Sequence, residues 1–591
     1  MAKNKKTLTL LEERYAEASQ YWDSYYSQCE KLEALYWGVL NPTSNPQAAN
    51  WRSQVVDNIA FEVVEKTVSH LFGGNPKGRF VGVEPGDELG AIVNQTLFDW
   101  QWAYPGQNMS RKMRDMGLQM TVMGIGFGVL DWKYETRTIK KTDMVDEKTM
   151  ETVEEEVVSW DCPYFKPLYL YDCYADPAAT NIDEMEYFIY EEYQTLDQLK
   201  NQNKGSIKPF INLGEVEEKL KDKDASERVV GDSVDDIRKL GTGGKKRRLK
   251  IRRMLTREKR MAYLPDLGIV IEDRDNPYWH GQLPIHLIVD YSYPNQLFGR
   301  GEIEPIKTQQ LALNSLINQR LDNVELNLNS GFKAKAGSKY MHTWKNKPGY
   351  THLVENMDDL QPMTVADVTG PTFIQSTNYI KDSITRVLGH TDFSTRNETT
   401  NEKTATEIRT SAGEQNARMK DKEKYIDEFM MRLANQWREL NAQFITSEKL
   451  IRIVGVDAQK YLAEQQQGME QEGLSLGYQQ AQEVGYMNIS PQMLEGKYDF
   501  IVQSGSLTEP DPLGRVNAIK IGMEALAQTS QALMQNGEKV NFKPLLDKLL
   551  RELDIKNVDE VIQPLSEQEL AMQQMQQMPQ QGRGRLPQSR F

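Results

Sequence analysis

The chain has 591 residues, a formal net charge of −14 and 39% hydrophobic residues, so it is long enough for several packed units. No apolar run reaches the roughly 18 residues of a membrane span, and the three cysteines form no CxxC spacing. These features argue against a membrane protein, a disulfide framework and a structural zinc site. The acidic balance is opposite to that of a uniformly charged, high-affinity nucleic-acid binder.

The first half of the chain predicts helices followed by strands, an α+β organisation. Apolar residues at helical spacing predict a helical arm over residues 7–37 and helices over 61–71 and 109–122. Alternating β-branched and aromatic residues then predict strands over 126–134, 154–159, 167–171, 185–193, 249–255, 260–263 and 269–272. Segment 201–244 is highly charged and ends in Gly-Thr-Gly-Gly, so we expect a surface insertion there.

Three helices dominate the middle of the chain. Apolar residues recur at three-, four- and seven-residue steps over 303–328 and follow one face over 371–388. Thr404 and Glu407 have the spacing of a capping box, so a third helix should begin near Thr404 and continue to Phe444. At about 1.5 Å per residue it would be roughly 60 Å long, which suits a large assembly better than a compact enzyme.

The segment between the first two helices combines positive charge with aromatic rings. Residues 329–354 contain five lysines and no acidic residue, a composition that favours an interaction surface, with a solvated loop as the alternative. The candidate docking residues are Phe332, Lys333, Lys335, Lys339, Tyr340, Trp344, Lys345 and Lys347. Segment 390–403, between the second and third helices, is too polar to bury, and a solvent-exposed linker is its simplest interpretation.

The last part of the chain predicts two strands and then helices. Residues 450–456 and 498–504 have strand composition, and we expect them to pair with each other. Helices are predicted over 513–534 and 542–553, and the Met- and Gln-rich stretch from Leu570 is low-complexity.

The sequence shows none of the motifs that assemble a catalytic or metal site. Glycines at 124–128 do not have the GxGxxG spacing, and neither HExxH nor GxSxG occurs, so we predict a non-enzyme with no cofactor and no metal. The acidic residues at 272–275 are interpreted as solvated turn residues, and His70 and His286 as core or interface groups. The basic run 245–253 predicts the charged face of a strand, solvated or facing another subunit, with DNA contact as the alternative.

Several segments, in their order along the chain, carry a resemblance to a known family. They are residues 58–76, the sequence FGRGE at 298–302 after Tyr293 and Pro294, the polar residues Gln309, Gln310, Asn314 and Asn318, the sequence KTATEI at 403–408, and YDFIVQSGS at 498–506. Together they are similar to the corresponding segments of the portal proteins of tailed bacteriophages. The resemblance covers most of the chain.

The resemblance implies a portal fold with long stem and wing helices, a mixed β wing region, a small clip and a helical crown. The implied parts are an N-terminal wing region with a helical arm (1–302), a first stem helix (303–328), a clip (329–370), a second stem helix (371–388), a channel or tunnel loop (389–403), a long wing helix with late wing strands (404–510), a crown (511–569) and a low-complexity tail (570–591).

The resemblance also implies a function without chemistry of its own. Such a subunit forms a ring, of twelve copies by analogy, at one capsid vertex, and passes double-stranded DNA during packaging and ejection. Its partners would be the terminase, adaptor or head-completion and tail proteins, and the major capsid and scaffold proteins, in the virion and, during assembly, in the host cytoplasm, with no membrane. The clip would dock partners through the aromatic and basic residues named above, and the loop residues His390, Asp392, Arg396, Asn397, Glu398 and Lys403 would face the DNA channel.

The net charge is compatible with such a conduit. Phosphate contacts bind DNA tightly through counterion release, so a passage that lets DNA slide should offer few cations. The alternative function is a non-enzymatic cytoplasmic helical scaffold without a DNA channel, and a third is an enzyme whose site the motifs do not reveal.

Overall fold

The computed structural model describes residues 2–39, 52–73, 78–84, 87–146, 149–203, 210–224, 248–329, 332–334, 360–363, 370–388, 405–446, 449–452, 486–489, 491–494 and 496–502. Within these residues the fold combines long helices with antiparallel sheets, so the predicted α+β class is confirmed. Among the same residues, no helix is both long and apolar enough to cross a membrane.

Nine helices are described, and the longest has 40 residues. They are α1 (Ala2–Tyr36), α2 (Ile59–Phe72), α3 (Glu88–Trp102), α4 (Met109–Met123), α5 (Leu196–Gln202), α6 (Leu213–Asp224), α7 (Lys307–Leu328), α8 (Pro371–Leu388) and α9 (Ala405–Phe444). The three predicted central helices therefore exist with nearly the predicted bounds. A short 3-10 turn, Glu304–Ile306, replaces the expected first turn of α7.

The described strands form one five-stranded sheet, one three-stranded sheet and three two-stranded pairs. They are β1 (Gly78–Gly82), β2 (Ile125–Asp146), β3 (Thr149–Leu168), β4 (Cys173–Ala175), β5 (Tyr187–Thr195), β6 (Arg248–Thr256), β7 (Lys259–Leu264), β8 (Ile269–Asp275), β9 (Ile285–Val289), β10 (Phe332–Ala334), β11 (Leu360–Pro362), β12 (Lys449–Arg452), β13 (Tyr486–Ile489) and β14 (Tyr498–Val502).

The two larger sheets have simple antiparallel orders. The five-stranded sheet runs β4-β5-β6-β7-β8, and the three-stranded sheet has β2 in the centre between β3 and β9. Strand β9 covers β2 only over its first five residues, so the long β2–β3 hairpin continues beyond the sheet as a two-stranded ribbon.

The largest core cluster connects α1, α4, both larger sheets and α9. Two fully buried tryptophans anchor its helices. Trp22 of α1 donates a hydrogen bond to the carbonyl of Ala175 over 2.9 Å, and Trp437 of α9 donates to Gln101 over 2.6 Å. A buried indole needs such an acceptor, so each helix is fixed in one position along the core.

Several described elements were not predicted, among them α3 and β9. Helix α3 has buried polar residues, Asn94, Thr96 and Gln101, which interrupt the apolar period from which a helix is recognised. Strand β9 is only five residues long and contains the buried His286, so its composition gave too little signal.

Two strand predictions were wrong in detail. Residues 167–171 do not form a separate strand, because they contain the end of β3 and begin a 3-10 turn, Leu170–Asp172. The predicted pairing of 450–456 with 498–504 is also wrong. Strand β14 instead pairs with β1, more than 400 residues earlier, and β12 pairs with β13. The composition of a segment can predict that it forms a strand, but it does not show which distant strand will pair with it.

The predicted surface insertion at 201–244 is partly wrong. Helix α6 packs onto the five-stranded sheet, where Val216 is fully buried beside Leu199 and Ile271. Its apolar residues Leu213, Val216 and Leu220 lie at helical spacing within a highly charged sequence, so the charge obscured a real core face. Residues 225–247 lie outside the described part of the chain.

Candidate functional site

Most of the residues predicted to act at the channel lie outside the described part of the chain. These are all six loop residues, His390, Asp392, Arg396, Asn397, Glu398 and Lys403, and the docking residues Lys335, Lys339, Tyr340, Trp344, Lys345 and Lys347. Phe332 and Lys333 are described, on β10, and Lys333 is exposed and opposite Gln361 of β11. The described structure therefore shows how the helices around these segments are held.

Helices α7 and α8 pack against each other and against α2. Their shared apolar cluster consists of Ile59, Val63, Ile306, Leu313, Ile384 and Leu388. The apolar face predicted for α7 is therefore buried at its beginning, at Ile306 and Leu313. On α8, Leu388 is buried and Val387, predicted to face inward, is 37% exposed.

The half of the α7–α8 pair that lies away from this apolar cluster exposes large apolar side chains. On α7 the predicted inward residues Leu321, Val324 and Leu328 are exposed, and Leu328 has 75% of its surface accessible. On α8 Ile374 and Tyr379 are exposed as well. We refer to these five residues as the exposed helix-pair surface. Large apolar side chains exposed on one pair of helices indicate an interaction site in a soluble protein.

Four polar side chains of α7 hold an extended segment, residues 53–57, along the helix. They recur every four residues and therefore share one face. They are Gln310, Asn314, Asn318 and Asp322. All four bind backbone groups of the segment, and the first three also belong to the resemblance described above.

The geometry explains why these positions carry amides. The Val55 N–H donates to Asn318 Oδ1 over 2.7 Å, and Asn318 Nδ2 donates to the Val55 carbonyl over 2.9 Å. Gln310 Nε2 donates to the Asp57 carbonyl over 2.6 Å, and the Ser53 N–H donates to Asp322 over 2.6 Å. Because an amide can donate and accept, Gln and Asn can satisfy both kinds of backbone group. The motif thus fixes the chain preceding α2 against α7.

The glycine-rich turn before α7 is a site of close backbone approach. A Cβ added at Gly301 would lie 2.5 Å from the Thr121 carbonyl oxygen and 2.7 Å from that of Val122. The neighbouring Glu302 N–H donates to the Thr121 carbonyl over 2.8 Å. The end of α4 and the start of α7 are therefore joined without room for a side chain.

A buried charge cluster joins this turn to α9. Lys422 Nζ forms ion pairs with Asp290 and, over 2.6 Å, with Glu302, and its side chain is only 3% exposed. The ammonium also lies 4.0 Å from the centre of the Tyr291 ring, and the Tyr291 hydroxyl donates to Glu302 over 3.2 Å. The cluster connects the long helix to the strand-to-helix passage at residues 290–302.

The sequence contained a signal for this cluster that the prediction did not use. Lys422 occupies a position at which the apolar spacing of α9 (Met419, Ile426, Phe429) would place a hydrophobic residue. A lysine on such a face needs a buried carboxylate. Nothing local indicates that the carboxylates come from residues 290 and 302.

The cluster has one more carboxylate than cations, and burial raises the pKa of Asp290 to about 7, although Lys422 opposes the rise. An unfolded aspartate titrates near 3.9, so between about pH 4 and 7 the folded state binds more protons than the unfolded state. The free energy of unfolding should therefore fall as pH rises through this window, by at most about 1.4 kcal/mol per pH unit.

We expect Asp290→Asn to remove this slope, because an amide does not titrate. Chemical denaturation of wild type and variant between about pH 5 and 7 measures it. Asp421→Asn, on an exposed residue of α9, is the control and should keep the wild-type slope. Parallel curves for wild type and Asp290→Asn would contradict the assignment.

The basic strand β6 does not have the predicted solvated face. Arg253 is buried and donates to Glu192 and, over 2.9 Å, to Glu272, while Lys250 and Arg252 both pair with Glu191. Burial opposes ionisation of Glu192, but Arg253 and Lys166 hold its pKa at about 2. These cations are neutralised within the sheet, so they are not available to DNA.

Glu272 was predicted to be a solvated turn residue, and it is instead 1% exposed within β8. It accepts hydrogen bonds from Arg253 and Arg274. The prediction failed because the Asn-Pro turn signal begins only at Asn276, after the strand has ended.

Two further groups with reactive side chains, His286 and Cys29, are buried. Burial lowers the pKa of His286 to about 3 and raises that of the Cys29 thiol to about 12. His286 is fully buried between Phe165 and Phe429, as expected for a core group, and His70 is partly buried. Within the described ranges, no three His, Cys, Asp or Glu residues are grouped as metal ligands.

Comparisons with known proteins leave the function to be argued from this geometry. No protein-family model matches the chain, and no curated protein matches it.

Proposed function

We propose that this chain is a portal subunit that forms a ring at one capsid vertex. The ring conducts double-stranded DNA during packaging and ejection, and it provides the docking platform for the terminase and the head-completion and tail proteins. In this proposal α7 and α8 are the stem helices, residues 329–370 the clip, 389–403 the channel loop and α9 the wing helix.

The exposed helix-pair surface is the observation that carries the proposal. It places Leu321, Val324 and Leu328 in water on a single chain, although their spacing is that of a buried helical face. A ring covers such a surface, because a head-to-tail interface repeated around a closed rotation buries the same patch on every subunit. A scaffold could also bury it, so the test must distinguish a ring with an open axis from other assemblies.

The described elements fit the mechanical demands of such a ring. The polar residues of α7, the glycine turn and the Lys422 cluster connect α2, α4, α7 and α9 by hydrogen bonds and ion pairs. Force on the helix pair is thereby transmitted to the body of the subunit. The net charge of −14 limits phosphate adhesion along a DNA path.

Electron microscopy of the purified full chain, together with its mass in solution, tests the proposal. Rings with an axial hole wide enough for duplex DNA are the expected result. Filaments, compact dimers or a chain that stays monomeric at all concentrations would contradict it, and the first two would favour the scaffold.

We expect the double substitution Val324→Glu with Leu328→Glu to abolish ring formation. It places two charges in an apolar interface, where each lacks a partner. Both residues are exposed on the single chain, so thermal unfolding of the subunit should change little. Gln319→Glu, an exposed residue of the same helix, is the matched control and should still form rings. Rings formed by the double variant would show that this surface is not the interface.

A further inference from the structure

A groove of about 560 Å³ lies where the base of the β2–β3 hairpin meets the five-stranded sheet. Aromatic rings line it, among them Trp132, Tyr164, Tyr278 and Phe444. The proposed portal function assigns no role to this groove. The groove lies next to the base of the hairpin, and its charge indicates what kind of segment it could bind.

The floor of the groove has one cation more than it has carboxylates. Arg253, Arg260, Arg274 and Lys166 face three carboxylates, Asp131, Glu192 and Glu272. At the rim, Lys133 and Glu135 pair over 3.1 Å and cancel each other. Each of the three floor carboxylates accepts hydrogen bonds from at least two donors. These carboxylates therefore have little remaining capacity to accept further hydrogen bonds.

Donors remain free at the same place. Within the part of the chain that the structure describes, Arg274 uses only its Nε, which donates to Glu272 over 2.7 Å, and its two terminal nitrogens have no hydrogen-bond partner. Arg260 has a 4% exposed side chain, and its buried Nε lies 3.9 Å from a carboxylate oxygen of Glu272, so Arg274 supplies the accessible donors. A surplus cation with unused N–H groups beside aromatic rings is suited to a carboxylate-bearing peptide.

The same chain presents an acidic segment on a two-stranded ribbon. Beyond the β-bulge at Glu135 and Thr136, the β2–β3 hairpin continues for 11 residues of β2 and 10 of β3, or about 35 Å at 3.3 Å per residue. No described strand pairs with either outer edge of this ribbon, and Val158 is 49% exposed. An isolated two-stranded ribbon is marginally stable in water, so this arm needs a surface to lie on.

The arm is opposite in charge to the groove. Residues 136–158 contain four basic and seven acidic residues, and three of the acidic residues are consecutive, Glu154, Glu155 and Glu156. The arm leaves its own subunit at the edge of its own groove, and its length is about the diameter of a small domain. It can therefore extend to a neighbouring copy.

We infer that the acidic arm of one subunit occupies the groove of the adjacent subunit in the ring. This inference rests on the proposed function, since it needs neighbouring copies in a closed head-to-tail arrangement. The glutamates of the arm meet the free terminal nitrogens of Arg274, and the aromatic wall covers the β-branched residues. The arm then contributes a strap between subunits that is separate from the exposed helix-pair surface.

Disulfide trapping in mixed rings tests the inference. Two full-length variants, Glu156→Cys on the arm and Gln202→Cys on the groove wall, are mixed before assembly and then oxidised. Both positions are exposed on the single chain, and the three native cysteines, Cys29, Cys162 and Cys173, are buried. Each variant has only one accessible thiol, so a disulfide dimer detected on a gel must join two subunits.

We expect at least about tenfold more dimer than in a control mixture of Gln202→Cys with Glu30→Cys, because docking raises the effective thiol concentration to the millimolar range. Glu30 is an exposed residue of α1. In assembled rings, Arg274→Glu combined with Gln202→Cys should reduce the dimer to the control level, whereas Glu30→Lys combined with Glu156→Cys should not.

The outcomes separate the two proposals. If the wild-type chain forms no rings, the portal proposal fails and this inference fails with it. If rings form but Glu156→Cys and Gln202→Cys give no more dimer than the control, the inference alone is wrong. Equal dimer yields in unassembled chains and in rings would indicate random collision and would also overturn it.

Discussion

Replacing Lys422 with methionine is expected to lower the free energy of unfolding by about 3–5 kcal/mol, because it leaves Asp290 and Glu302 buried without their cation. Both carboxylates are almost inaccessible to solvent, so neither can recover the lost interaction from water. Denaturant unfolding at neutral pH, with the slope of the transition checked for two-state behaviour, measures the change.

Lys424→Met is the matched control for this prediction. Lys424 lies on the same helix and pairs with Asp421, but its side chain is 72% exposed, and such surface pairs contribute less than about 1 kcal/mol. Adding Asp290→Asn to Lys422→Met should recover part of the stability, since it removes one buried charge. Equal losses in the Lys422 and Lys424 variants would show that the cluster does not stabilise the fold.

Gly301→Ala is expected to destabilise the subunit by about 1–3 kcal/mol, the usual cost of adding volume where there is none. The new methyl group would meet two backbone carbonyls, and backbone atoms cannot turn away as a flexible side chain can. Relief requires the end of α4 and the start of α7 to separate. Thermal unfolding measures the effect, and weaker hydrogen-exchange protection at the Glu302 amide would locate it.

The control for this substitution is Gly214→Ala. A Cβ at Gly214, near the start of α6, would have no atom within 4 Å, so the change should leave stability unaltered or raise it by up to about 1 kcal/mol. If Gly301→Ala behaves like Gly214→Ala, the close approach at residues 299–301 does not constrain the fold.

The sequence predicted the elements with a strong, regular period and missed those that depend on distant partners. Helices α7, α8 and α9 were recognised because their apolar residues repeat over many turns. Helix α3 was missed because the buried polar residues Asn94, Thr96 and Gln101 interrupt its apolar period. The partner of Gln101 is Asn441, on the distant helix α9. The β1–β14 pairing was missed because nothing local specifies which distant strand an edge will meet.

In the candidate site, too, the features with a local sequence pattern were predicted, and those that depend on distant partners were not. Gln310, Asn314 and Asn318 were singled out through the resemblance to portal proteins, but their acceptors and donors, the backbone groups of residues 53–57, have no sequence signal of their own. Arg253 and Glu272 were interpreted as surface charges because each looks exposed in its local sequence. Their burial depends on each other, so neither could be assigned alone. The channel-loop residues His390 to Lys403 stay a prediction, as do all eight docking residues.

The attachment of residues 53–57 to α7 has a consequence for which substitutions the chain tolerates. The helix contacts this segment through main-chain N–H and carbonyl groups, which every residue except proline carries in full. Ser53 and Val55 can therefore be exchanged for most other residue types without loss of these bonds, whereas the helix positions 310, 314 and 318 cannot. These bonds thus constrain the helix positions and not the side chains at 53 and 55, whereas Asp57 is constrained separately by its 2.8 Å ion pair with Lys381 of α8.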